Sequence, residues 1–345
     1  MKLNGDYIFL WHWNEKNEVC IVRAYGEMPI VLLPEKIAGK PVTEIGAYCF
    51  AQTKRLPQAK LFISRFTDGV ENPMREAPSD FNVEDEYLHE LSGKYIEQVV
   101  LPDGVRHIGN CAFYNCGKLK ELSLSGQVDQ IDSDVFMNCI HLQNILLRTG
   151  VQEKSGLKQI LAQISWNLEV CFLEKDGQIT AVLFYPEYYE EYDEIGPAHI
   201  FKFNLTGEGF RARQCFADGR VLLKQYDEIF PQACVSEPVA SLCQMAFDRL
   251  YYPVELSEDS KKLYEDYIKR ESSVLIQKLL LERKLDQAHF LIKNGYVANH
   301  VLEDAIITTT EMEWAEGTAS LIRWKAEHVK EEGTDRYSFD DLEWE

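Results

Sequence analysis

Long apolar runs are missing from this chain. Nowhere in its 345 residues do apolar side chains approach the ~18 in succession that a membrane span needs, so the sequence predicts a soluble protein with no membrane partner. Its opening residues, Met1-Lys2-Leu3-Asn4-Gly5-Asp6-Tyr7, lack the basic region, apolar stretch and small-residue cleavage site of a secretory leader. A disulfide framework is not expected either. The nine cysteines are an odd count, and Cys111, Cys116 and Cys139 stand at repeated positions, which fits reduced, buried thiols and a cytoplasmic location.

Enzyme signatures are equally scarce. The chain has no Gly-x-x-x-x-Gly-Lys-Ser/Thr loop, no Gly-x-Ser-x-Gly, no His-Glu-x-x-His and no dinucleotide glycine fingerprint. Its eight histidines (12, 89, 107, 141, 199, 289, 300 and 328) are scattered rather than paired at ligand spacing. His107 with Cys111 and Cys116 can be assembled into a metal site on paper, but repeated cysteines are more simply core residues. The expectation is a non-enzymatic protein with no cofactor.

Bases are the scarce charge: 36 Lys and Arg face 56 Asp and Glu, a formal net charge of -20. Most of that excess is local. Residues 67–92 hold eight acids and one base, 184–194 five acids and no base, and 331–345 seven acids and one base. Such runs are solvated loops and tails first. They repel nucleic acid and can steer a basic protein partner.

What the chain does have is a repeat. Val99-Val100-Leu101-Pro102-Asp103-Gly104-Val105 through Ile108-Gly109 to Phe113 overlays Leu122-Ser123-Leu124 through Val128 and Ile131 to Phe136 with a shift of 23 residues. Asn115-Cys116 with Leu119 and Asn138-Cys139 with Leu142 close the two copies. A degenerate copy lies upstream, in Leu33-Pro34, Val42, Ile45-Gly46 and Phe50. A 23-residue period lies in the leucine-rich-repeat range, and the motif resembles the leucine-rich repeats of the BspA-like bacterial family over residues 28–150. That resemblance implies a ladder of short strands used in binding, often on the cell surface, with no catalysis attached.

Apolar pairs place five rungs at Val31/Leu33, Leu61/Ile63, Val99/Leu101, Leu122/Leu124 and Ile145/Leu147. After the second rung the repeat breaks, and residues 67–92 read as an acidic inserted loop with a short helix at Glu84 to Leu91. Alternation along the strands turns Leu32, Phe62, Val100, Ser123 and Leu146 to the opposite face. Four of these five are apolar, so either the chain itself covers that face or a partner does.

Past residue 150 the pattern is mixed. Leu157 to Ile164 reads as a helix; Val170 to Leu173 and Ile179 to Tyr185 flank a Lys175-Asp176-Gly177-Gln178 turn; Ile200 to Leu205 and Phe210 to Phe216 read as strands. Beyond Pro238, six helices are expected, at Val239 to Tyr251, Ser257 to Lys269, Ser273 to Arg283, Leu285 to Lys293, Val301 to Thr309 and Glu313 to His328. The runs ending at Leu291-Ile292 and Leu321-Ile322 resemble ankyrin-like helical hairpins, without the Thr-Pro-Leu-His signature. The expected class is therefore α+β: a leucine-rich-repeat solenoid over 1–150, a small α+β module over 151–235, a helical repeat-like domain over 236–330 and an acidic tail over 331–345.

The function this reading favours is protein interaction or scaffolding, with Leu32, Phe62, Val100, Ser123 and Leu146 as the partner-binding row. An enzyme or small-molecule module within 151–235 is the first alternative, and Tyr188, Glu190 and Arg211 are its candidate surface. Arg211, Arg213 and Arg220 near Cys215 also read as a candidate anion patch. An exported adhesin is the second alternative.

Overall fold

A computed structural model of the chain describes residues 5–78, 81–83, 86–195 and 199–328. These fall into two compact units, one reaching Glu237 and including Tyr252–Leu256, the other made of Pro238–Tyr251 and the residues from Ser257 onward. The acidic tail lies outside the described residues.

The first unit opens with a hairpin of β1 (Asp6–Trp13) and β2 (Val19–Gly26). The first rung follows as β3 (Ile30–Leu32), β4 (Lys36–Ile37) and β5 (Lys40–Ile45). A long excursion carries β6 (Phe62–Thr67), β7 (Val70–Glu71), β8 (Arg75–Glu76) and β9 (His89–Glu90). The regular rungs are β10 (Gln98–Val100) with β11 (His107–Ile108), then β12 (Glu121–Ser125) with β13 (Gln130–Ile131), then β14 (Asn144–Arg148). Each complete rung gives one strand to each of two parallel ladders.

Register follows the repeat. In one ladder Val31, Val99, Leu122 and Ile145 stand side by side, and in the other Ile45, Ile108 and Ile131 do. All seven side chains except the half-buried Ile131 are fully buried, and each fully buried one stabilises the fold by about 1.5–3 kcal/mol before entropy is counted. At the turn between rungs Phe50, Phe113 and Phe136 stack with ring centroids 4.9 and 5.8 Å apart. The chain reaches each Phe through a left-handed residue, at Tyr48, Cys111 and Asp134 (φ 59, 55 and 57°), and leaves the last two through Asn115 and Asn138 (φ 61 and 64°). Asparagine tolerates that conformation better than most side chains, which is the physical content of the repeated Asn-Cys. The Gly after the repeated Ile has a steric cause: a Cβ at Gly109 would sit 2.6 Å from the Ala47 amide nitrogen.

Both ends of the second ladder are covered. β2 runs parallel to β5, and β1 pairs antiparallel with β2. At the other end helix α1 (Leu157–Leu161) stands where a further rung would. Gln159 Oε1 accepts from Ile131 N (3.2 Å) and its Nε2 donates to Asp129 O (2.9 Å), while Gln163 repeats the pattern with Val135 N and Asp132 O (both 2.8 Å). Two glutamine amides four residues apart thus replace the missing backbone.

Leu61/Ile63 is not a rung. β3 pairs directly with β10, and the intervening excursion leaves and returns at one point, where Gly93 N donates to Phe50 O (2.8 Å). β6 pairs antiparallel with β1 instead, which puts Ile63 in a cluster with Ile8, Leu10, Cys20, Val22 and Leu88, flanked by Ala77, Phe81 and Val83. An isolated apolar pair without the downstream Ile-Gly and Phe buries nothing in a solenoid, so it joined the hairpin sheet. The insert is longer than expected and forms a lid over a second core. The helix expected from Glu84 to Leu91 is absent among its described residues, where β9 pairs with β2 through Tyr25–Glu90 and Gly26–His89.

Residue 150, where a domain boundary was expected, does not interrupt the sheet. β15 (Leu168–Leu173) joins β14 in parallel, with Leu146 opposite Cys171, and β16 (Ile179–Tyr185) returns antiparallel. β17 (Tyr189–Ile195) and β18 (Ile200–Thr206) form a separate two-stranded sheet. Next come α2 (Gly209–Ala212), β19 (Phe216–Ala217), β20 (Arg220–Val221), α3 (Leu223–Glu228) and α4 (Phe230–Ser236). The strand expected over Phe210 to Phe216 is helical at its start because Arg213 is drawn inward, as described below.

The second unit contains α5 (Val239–Tyr251), α6 (Glu258–Arg270), α7 (Ser272–Leu281), α8 (Leu285–Lys293), α9 (Asn299–Glu311) and α10 (Ala315–His328). The α7–α8 and α9–α10 pairs repeat 30 residues apart. Arg283 and Glu313 both take positive φ (56 and 52°), and Lys284 N to Leu279 O and Trp314 N to Thr309 O close the same turn.

Candidate protein-binding face

On the face of the first ladder turned away from the core, Leu32, Val100, Ser123 and Leu146 stand in one row, each opposite the next in parallel register. β15 and β16 extend the row with Cys171 and Val182. Leu32, Val100 and Leu146 are half-buried, whereas Ser123, Cys171 and Val182 are nearly covered. Phe62 is not part of this row: in β6 it stacks on Trp11 in the other sheet, ring centroids 5.1 Å apart.

The row is interrupted by a charged clasp. Arg148, two residues after Leu146 and hence on the same face, donates to Ser123 Oγ and Leu101 O (both 2.5 Å) and to Asp103 Oδ1 (2.9 Å). Ser125 Oγ donates to Asp103 O (3.0 Å). Ser123 is therefore not an open contact but the floor beneath a guanidinium that is partly exposed. Arg148 and Asp103 were missed in the sequence, although the period of two that selected Leu146 also selects Arg148. Cys171 and Val182 were missed because their strands have no repeat signature.

The second set of candidates does not converge. Tyr188 is buried, edge-on to Phe210 at 5.6 Å, with the Arg213 guanidinium 5.1 Å from its ring centre; burial pushes its hydroxyl up. Glu190 is exposed on β17, and Arg211 is exposed and paired with Glu208 (2.9 Å). Nor is there an anion patch, because Arg213 is spent inward. It donates to Ile164 O (2.9 Å), Trp166 O (2.7 Å), Gly209 O (2.9 Å) and Pro186 O (2.5 Å), and desolvation lowers its pKa to about 10.

The paper metal site is dispersed as well. His107 lies between Asp132 (3.1 Å) and Glu44 (3.9 Å), while Cys116 Sγ donates to Phe50 O (3.3 Å) and Cys139 Sγ to Phe113 O (3.0 Å). Among the described residues no group of three or more His, Cys, Asp or Glu is placed to hold a metal ion. Burial raises the thiols of Cys116 and Cys20, the latter to about 12. They are core groups carrying no reactive thiolate at neutral pH. A cavity of about 780 Å³ opens between β6 and the later part of the excursion, lined by Ile8, Ile63, Arg75, Phe81 and Val83, outside the 151–235 segment.

Residues 89–158 match the family described as BspA type leucine rich repeat region (6 copies). No curated protein and no solved structure matches the chain. The match covers β9, the regular rungs and the start of the capping helix, and leaves the β1–β2 hairpin, the first rung, most of the excursion, the β17–β18 sheet and the second unit without a counterpart.

Proposed function

We propose that this chain is a non-enzymatic interaction protein of the bacterial cytoplasm, acting as a scaffold through the outward row of its first ladder. The observation that supports this reading is the register itself. Leu32 and Val100 project from neighbouring positions of one continuous sheet and Leu146 from the strand beyond Ser123, forming a preordered apolar row broken at Ser123 by the Arg148–Asp103 clasp. A rigid sheet pays little conformational entropy on binding, so apolar anchors placed on it contribute most of their burial to affinity. The clasp supplies direction: a partner must offer an acceptor to Arg148 or a donor to Asp103 where it crosses the centre of the row.

Affinity capture from lysate of the source organism tests the reading, comparing the intact protein with a Leu32→Asp/Leu146→Asp variant shown by circular dichroism to be folded. The account expects a stoichiometric partner that the variant loses, since burying an unpaired carboxylate at a central contact costs more than about 2 kcal/mol, roughly 30-fold in affinity. Identical recoveries from both baits would remove the row from the function.

A further inference from the structure

The β17–β18 sheet has a composition unlike the rest of the fold. A two-stranded hairpin is marginally stable alone in water, and an antiparallel sheet ordinarily buries one of its faces. Here Tyr192 and Phe203 stand opposite one another, rings 5.0 Å apart, yet they are 71% and 49% exposed, and the neighbouring Leu205 is 38% exposed. Leu205 pairs with Glu190 and shares their face by alternation.

Charge surrounds these rings. Glu190 and Glu194 flank Tyr192 on its own face, two residues to either side, and Glu191 and Asp193 point to the other. Over residues 187–206 five acids face one base, Lys202, which stands opposite Asp193. His199 contacts Glu194, and Asn204 donates to Asp193 (2.8 Å). Glu190 and Glu191 have no cation within ion-pair distance among the described residues, and Arg211 is held by Glu208. Exposed edges are usually guarded by charged side chains, lysine above all, or by proline. β17 is guarded by acids alone, which repel another acidic edge and not a basic one, and among the described residues its sheet holds no strand beyond β18.

We infer that β17 is the docking edge for a basic, extended segment of a partner protein, which adds as a third strand with an apolar side chain against Tyr192 and Phe203 and a Lys or Arg two residues to either side facing Glu190 and Glu194. The spacing matches because alternate residues of any strand lie about 6.6 Å apart, and main-chain pairing supplies affinity that side-chain alternation makes specific. A second copy of this chain is the weaker occupant, since pairing β17 with itself sets acid against acid. The site is independent of the outward row of the first ladder.

The test is fluorescence anisotropy of the full chain with labelled seven-residue peptides, Thr-X-Thr-Z-Thr-X-Thr. X is Lys, Arg, Gln or Glu, and Z is Ile, Phe or Ser. Lys or Arg at X with Ile or Phe at Z should bind, and either Gln at X or Ser at Z should weaken binding roughly tenfold or more. N-methylation of alternate backbone amides should abolish binding in one register and be tolerated in the other. Tyr192→Ser should lose the peptide and Leu146→Asp should keep it. Glu190→Lys with Glu194→Lys, both on an exposed surface, should shift preference to Glu at X. The inference is overturned if no peptide binds, if Z and N-methylation are without effect so that charge alone decides, or if the chain self-associates through this edge in a manner that Tyr192→Ser abolishes.

Discussion

At the scale of single residues, the polar groups that matter most are those that replace missing backbone partners. Arg213 satisfies four carbonyls from four different positions. Arg213→Met should therefore destabilise the first unit by about 3–5 kcal/mol, since orphaned buried acceptors each cost on the order of 1–3 kcal/mol. Arg213→Lys should recover only part of this because one ammonium cannot span the four; urea titration of both variants measures it. Asp6 carries a pH signature. Hydrogen bonds from Arg65 and Tyr87 hold its carboxyl below the ordinary range. A depressed folded value means its contribution is present above the unfolded value near ~4 and is lost as pH falls through the folded one. Asp6→Asn should cost about 0.5–1 kcal/mol at pH 7, because the Arg65 side is partly exposed. That difference should vanish near pH 2, and a cost that persists there would place the role of Asp6 elsewhere.

At the scale of elements, the second ladder ends where glutamine amides imitate a strand. Gln159→Ala with Gln163→Ala leaves Ile131 N and Val135 N without acceptors. The variant should lose about 1–3 kcal/mol, with faster hydrogen exchange confined to residues near 130–135. Uniform exchange across the ladder would show that α1 is not the cap. These elements also mark what was readable in advance. The 23-residue shift identified β10 and β12 because three cues recur together, the paired apolar residues, the downstream Ile and the Phe, and β14 because its apolar pair falls 23 residues after that of β12. The helices after Pro238 were readable because each has a 3.6-residue period of its own. Leu61/Ile63 misled because an apolar pair is only one of the three cues. β15 escaped as a rung because it enters the ladder through sheet pairing alone, with a capping helix in place of the motif. The β1–β2 hairpin was invisible to a search for repeats, since it buries Phe9, Leu10 and Trp11 without repeating anything. In the candidate row the period of two puts Leu32, Val100, Ser123 and Leu146 on one face, and the register sets them side by side. The period could not show that Arg148 would fold back over Ser123, which depends on the carbonyl of Leu101 and the carboxylate of Asp103, both two rungs away.

At the scale of the whole molecule, the acidity and the apolar surfaces are divided among separate places. The excursion puts much of its apolar content into a core over β1 and β2, so its described acids, Asp68, Glu71, Glu76, Glu86 and Glu90, belong to a lid rather than a free loop. The β17–β18 acids surround exposed rings and are the charges best placed to meet a basic partner. The outward row of the first ladder is nearly uncharged apart from its clasp. Two surfaces of such different chemistry would suit two different partners, as the proposed scaffold role requires.

The central claim is that the outward row of the first ladder is a protein-docking surface. A photo-activated crosslinking side chain placed at Val100 in the source cells tests it most directly, with Lys118, on an exposed turn between rungs, as the control position. A discrete crosslinked species formed from Val100, absent from Lys118 and lost when Leu146→Asp is added, is the predicted result. Equal crosslinking from both positions, or none from Val100, would contradict the account.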